Sequence, residues 1–339
     1  MTTLRFIALS LVVLPLAVLT ADTCPVAFAQ ASMSGTYHVA QTYQLGVSGG
    51  YDYMNFDAAS HTLYIAQGDQ VVVFDATKGA VTGTIKGLVH THGVVLDKDG
   101  LTGYVSDGGA GMVQIFNRTS LAKTATIAVG TNPDGMVIEP TTDHLFVFNG
   151  KSKNLSVVDL ATKKVIATVA LPGKPEFPTV DGKGHVYVNI EDTHQVVKID
   201  ATDNKPIATW TIAGCESPSG MAIDATAGRI FPVCDNAKMP VIDTITGKVV
   251  AMVAIGAGPD AAAYDAARHL VFSSNGDVGT LSIIKQVSQD SYVPAQTVKT
   301  AAKGRTLALD ASSGDIYVIA PDPASTAATK PLVLLKITK

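Results

Sequence analysis

Apolar residues in this chain fall into short runs, rich in Val, Ile, Phe and Thr, that are broken by clusters of Gly, Asn, Asp and Lys. Residues 132–172 show the unit. Gly135 to Ile138 predicts a strand, Thr141-Thr142-Asp143 a turn, His144 to Phe148 a second strand, and Asn149 to Lys153 a polar loop. Leu155 to Asp159 predicts a third strand, Ala161 to Lys164 a turn, and Val165 to Leu171 a fourth. β-Branched and aromatic residues suit a pleated surface, and the turn residues between them predict a hairpin meander. The mature chain calls for no amphipathic helix.

The unit recurs seven times. Third strands close on Asp75, Asn117, Asp159, Asp200, Asp243, Ile284 and Ile337, in steps of 42, 42, 41, 43, 41 and 53 residues. A period near forty with four strands per repeat predicts an all-β, seven-bladed β-propeller of four-stranded blades. The blades fall at about 48–88, 89–130, 131–172, 173–214, 215–256, 257–301 and 302–339. The last repeat ends without a fourth strand. Tyr37 to Gly46 reads like the fourth strands at Val165 to Leu171 and Val249 to Gly256, so the N-terminal strand is expected to complete the last blade and close the ring. The long final step comes from Pro321 to Pro331, an Ala-, Thr- and Pro-rich insertion expected to be a mobile loop.

The first 29 residues read as a leader. A basic Arg5 precedes an apolar run from Phe6 to Leu19, and Ala27-Phe28-Ala29 fits a small-x-small cleavage site, so a single propeller domain over 30–339 is expected in the periplasm or outside the cell. The apolar run is shorter than the roughly 20 residues of a spanning helix. Cleavage removes Cys24 and leaves Cys215 and Cys234, which flank two strands of one blade and are expected to pair as a disulfide; free thiols serving as metal ligands are the alternative. The net charge of −4 and pI near 6.0 give no general attraction for nucleic acid or anionic membrane.

The block Leu145-Phe146-Val147-Phe148-Asn149-Gly150, followed by Leu155-Ser156-Val157-Val158-Asp159, resembles the YVTN repeat. Tyr187-Val188-Asn189 and Val241-Ile242-Asp243 carry the same pattern, so the resemblance covers nearly the whole mature chain. It implies an exported bacterial or archaeal propeller, specific for fold and weak for function, with DNA binding associated with one periplasmic member. The WD40 pattern fits less well, because no Trp-Asp dipeptide occurs and the single Trp210 sits in an outer strand, where it is expected to pack between blades.

Aligned on the acid that ends each first strand (Asp57, Asp97, Glu139, Asp181, Asp224, Asp265, Asp310), the repeats give a second column five residues earlier. It reads Asp52, His92, Asp134, Glu176, Ser219, Asp260 and Arg305, and should ring one mouth of the central channel. Four members are carboxylates and a fifth is an imidazole, groups that bind cations or move protons. The alternative is a polar, water-filled funnel whose Asp134 and Asp260 bond to their own turns. In an extended Val89-His90-Thr91-His92 segment the two imidazoles share a side and could hold a metal with Asp134 or Glu176; the alternative is a pair of histidines bonding to loop carbonyls. Asp107, Asn149, Asp192, Asp235 and Asn275, on the loops between second and third strands, add oxygen donors at the same face, enough for Ca²⁺ or Mg²⁺ if six converge. No cofactor is certain.

Two functions follow. The first is a non-enzymatic binding module whose mouth recognises a protein, glycan or small ligand. The second, by analogy with propellers of lactonase and streptogramin-lyase type, is a metal-assisted hydrolase or lyase with His92 or Glu176 as base and a cation on Asp52, Asp134 and Asp260. DNA binding is a third, inherited from the resemblance alone. Ser217-Pro218-Ser219-Gly220 lacks the strand-to-helix elbow of a hydrolase serine, and Asp107-Gly108-Gly109-Ala110-Gly111 lies between strands and not before a helix.

Overall fold

The computed structural model describes residues 35–339; the expected leader and Cys24 lie outside them. Seven four-stranded antiparallel sheets form the described residues, and the one helical turn, Glu191–Thr193, is a single 3₁₀ turn. Blade 1 spans 54–85, blade 2 91–128, blade 3 133–170, blade 4 175–211, blade 5 218–254 and blade 6 259–299. Each runs in simple meander order from a first strand at the axis to a fourth at the rim.

Blade 7 is built from both ends of the chain. Its first three strands are Thr306–Asp310, Asp315–Pro321 and Pro331–Thr338, and its outer strand is His38–Ser48. His38 pairs with Thr338, Thr42 with Leu335, and Ser48 with Pro331, so the last strand has no open edge. Closure is as expected from the missing fourth strand. Tyr37 adds a second tie: its backbone exchanges two hydrogen bonds with the Gln296 side chain, and its ring meets Phe272 edge-on at 5.7 Å, both in blade 6.

The core lies between blades. Phe146, Phe148, Leu155 and Val157 of blade 3 pack with Val186, Val188, Val197 and Ile199 of blade 4. Equivalent clusters join blade 7 to 1, 1 to 2, 2 to 3, 4 to 5 and 5 to 6. Second and third strands are covered on both faces, which is why they read as unbroken apolar runs. Burying one such side chain stabilises by about 2–3 kcal/mol. Trp210 stacks on Tyr187 at 6.3 Å and lies against Gly247 of blade 5, where a Cβ would fall 2.3 Å from the indole. It packs between blades as its outer-strand position suggests. Cys215 and Cys234 are joined as a disulfide, tying the approach to blade 5 to the end of its second strand.

Candidate functional site at the channel mouth

A first strand begins at one face of the propeller and ends at the other. At its end, the aligned acids hold turns: Glu139 accepts from Thr141 N at 2.8 Å, Asp224 from Ala227 N at 2.9 Å, and Asp310 from Ser312 N at 2.9 Å. Arg118 adds an ion pair to Asp57. These acids are structural. The column five residues earlier therefore belongs to the opposite face.

There a β-bulge changes the direction of the side chains. Asp52 N donates to Ala66 O and Ala66 N donates to Tyr53 O, so two residues face one. The register also breaks between Thr91 and Val94, Pro133 and Met136, Pro175 and Pro178, Pro218 and Met221, and Pro259 and Ala261. A bulge spoils the in–out alternation, so in blades 1 and 4 both the column residue and its successor reach the channel. Those successors are Tyr53 and Phe177. Their rings meet edge-on at 5.1 Å, bridging the axis from blade 1 to blade 4.

In three other blades the successor is glycine, for steric reasons. A Cβ on Gly93 would lie 2.9 Å from Asp134 O, one on Gly135 2.5 Å from Glu176 O, and one on Gly220 2.5 Å from Asp260 O. First strands of neighbouring blades approach backbone to side-chain-free backbone, and that contact draws the column residues together.

Three column residues form one corner. His92 Nδ1 lies 2.6 Å from Asp52 Oδ2 and 3.7 Å from Asp134 Oδ1, and its Nε2 is 2.9 Å from His90 Nδ1. Glu176 Oε2 is 3.1 Å from Lys174 Nζ, an ion pair whose angles make no hydrogen bond, and Lys174 also pairs with Glu191. Arg305 stands 3.6 Å from Asp260, donates to Tyr51 O at 3.1 Å, and lies over the Tyr51 ring. Ser219 is apart from this set: its Oγ donates to Pro259 O at 3.0 Å, tying blade 5 to blade 6.

The electrostatics show that these groups share one space. Burial pushes the Tyr53 phenol well above its usual value, and Asp134, Glu176, Asp52 and Asp260 all add to the effect. Burial lifts Asp134 to about 7, with His92 opposing and Asp52 reinforcing the rise. Glu176 rises to about 8 through burial and the charge of Asp134, against the pull of Lys174. Asp260 rises to about 6, again by burial, with Arg305 opposing. Burial lowers His92, yet the hydrogen bond to Asp52 and the charge of Asp134 win, and its net shift is upward. Five carboxylates, counting Glu191, thus face three cationic side chains, His92, Lys174 and Arg305.

Several expectations for this face need correction. Asp134 lies in the strand Pro133–Glu139, with His92 3.7 Å from its carboxylate, so it is not a turn residue. The shared grip of His90 and His92 fails because His90 has a left-handed backbone (φ 58°), not an extended one, and its ring backs His92. Six converging oxygens are not found in the loop residues. Asp107 accepts from Val89 N and Gln114 Nε2, Asn149 bonds Asn154 and Ser156, and Asn275 bonds Thr280 and Ser282, each within its own blade. Tyr53, Phe177 and Lys174 escaped the sequence reading. The position after the column carried the signal: Tyr53, Gly93, Gly135, Phe177, Gly220, Ala261, Thr306, two aromatics among small residues.

No family model and no curated protein matches the chain. Solved structures do. A chain from the structure of Kuenenia stuttgartiensis hydrazine synthase is similar at TM-score 0.72 and 16% identity, over 80% of this chain and 92% of that one. The WD40 repeats of RRP9 give TM-score 0.77 at 9% identity, over 88% and 98%. A chain of the mitotic checkpoint complex gives 0.75 at 14%, over 99% and 98%. At such identities the likeness establishes the seven-bladed propeller fold and nothing of the chemistry.

Proposed function

We propose that the protein is a non-enzymatic binding module that captures a ligand through a positively charged group at the channel mouth. The observation that carries this reading is the set of four column carboxylates gathered around Tyr53 and Phe177 with too few counter-charges. Carboxylates in this cup whose pKa values are raised by burial, and further by one another's charge, are relieved by a cation that lets them ionise. A cavity of about 340 Å³ beside the ring, lined by Tyr51, Lys303 and Arg305, offers room for the rest of a ligand.

A metal-assisted hydrolase or lyase needs a free base. Of the two expected bases, His92 is engaged through both ring nitrogens and Glu176 is ion-paired with Lys174, which favours the binding reading. Kinship with the YVTN-repeat propellers and export to the periplasm or beyond belong to the same proposal. They are supported by the repeat motifs, the leader-like first 29 residues, and the Cys215–Cys234 disulfide, a bond that persists in oxidising compartments. Calorimetric titration with spermidine as an organic cation tests the cup. The wild type should bind, and the triple variant Asp134→Asn, Glu176→Gln, Asp260→Asn should not. Equal binding by both would place any cation site elsewhere.

A further inference from the structure

We propose that Asp52, His92 and Asp134 form a binding site for one divalent transition-metal ion of the zinc type. The inference rests on reading the mouth as a cation cup, and it names the cation. Blades 1, 2 and 3 each supply one donor atom, Asp52 Oδ2, His92 Nδ1 and Asp134 Oδ1, and the three lie within 4.8 Å of one another. A tetrahedral ion with bonds of about 2.1 Å holds its donors about 3.4 Å apart. The present separations of 2.6 and 3.7 Å from His92 bracket that value, so side-chain torsions alone can adjust the site.

Two further observations point to a ligand. Asp134 is 5% exposed, the Tyr53 phenol supplies a hydrogen bond that lowers its pKa, and among the described residues no cationic side chain other than His92 lies within 4.0 Å of it. With one phenol and one imidazole as partners, the two carboxylate oxygens keep lone pairs free for an ion. The second is His90. With metal on Nδ1, the His92 Nε2–H donates to His90 Nδ1, already 2.9 Å away, which fixes the ring and its tautomer as in established metal sites. His90 is itself anchored, its carbonyl accepting from Gly108 N at 3.0 Å.

The donor set selects the ion. One imidazole with two carboxylates suits Zn²⁺, whereas Ca²⁺ and Mg²⁺ prefer oxygen donors alone and in larger number. The three protein donors leave at least one coordination position for water or a ligand atom. Glu176 stands outside this set, held by Lys174.

Calorimetric titration of the metal-free protein with Zn²⁺ tests the inference, with spermidine titrated in parallel. We expect one ion per chain, a loss of at least 100-fold in affinity for His92→Asn, a smaller loss of about tenfold for His90→Gln, and no displacement by excess Ca²⁺. Melting temperatures near wild type for both variants would show that the losses are not unfolding. Zn²⁺ binding unchanged in His92→Asn, or displaced by Ca²⁺, overturns the site. Spermidine binding without Zn²⁺ binding overturns the metal inference and leaves the cup. Failure of both ligands overturns both.

Discussion

The Asp260→Asn variant should gain stability relative to wild type as pH rises from 4 to 7. Asp260 ionises near 6 in the folded state, against about 3.8 unfolded, because burial outweighs the attraction of Arg305. A carboxyl whose folded pKa is raised contributes stability that is complete below pH 4 and is lost as pH climbs through 6. Two pKa units correspond to about 3 kcal/mol. A quarter of the side chain reaches solvent, which screens the effect and reduces the expectation to about 1–2 kcal/mol. Asn cannot ionise, so the stability difference between Asp260→Asn and wild type should move in the variant's favour by that amount between pH 4 and pH 7, then level off. Any constant cost of losing the contact with Arg305 cancels in the pH comparison. Urea denaturation of both proteins at unit pH steps from 4 to 8 measures it. A difference that stays flat, or that moves against the variant as pH rises, would mean that Arg305 holds Asp260 ionised, and the account of a buried, under-compensated carboxylate would fail.

Gly135→Ala should cost about 1–3 kcal/mol, since its Cβ would lie 2.5 Å from Glu176 O and must push blades 3 and 4 apart; unchanged thermal stability would refute the close approach. Cys215→Ser with Cys234→Ser should lower stability by about 3 kcal/mol through the freed loop of 19 residues, read as the urea midpoint; equal midpoints for oxidised wild type and variant would show that the bond adds nothing. Deleting residues through Ser48 should expose the strand Pro331–Thr338 and yield aggregated protein in size-exclusion chromatography, whereas a stable monomer would show that the ring does not depend on that strand.

The blade count and the closing strand are legible in the sequence because each blade is a local meander whose pattern repeats about every 42 residues. An absent fourth strand in the last repeat then implies a partner elsewhere, and His38–Ser48 fills that place. The column from Asp52 to Arg305 emerges from the same alignment, and the structure gathers Asp52, Asp134, Glu176 and Asp260 around Tyr53, with His92 against Asp52 and Asp134. Other features depend on one residue. A bulge shifts the side-chain alternation by a single position, which no periodicity reveals, and it is what sends Tyr53 and Phe177 inward. The left-handed His90 turned an apparent His-x-His pair into one ring behind another. Ser219 kept the spacing of the column but bonds to a neighbouring carbonyl, because a hydroxyl a few ångströms from the adjacent backbone finds an acceptor there first.

The most direct test is diffraction from crystals grown with Zn²⁺, with data collected on both sides of its absorption edge. The account predicts one anomalous peak per chain inside the ring, within bonding distance of Asp52, His92 and Asp134. A mouth without a peak, in crystals that hold Zn²⁺ only at exposed rim carboxylates, would contradict it.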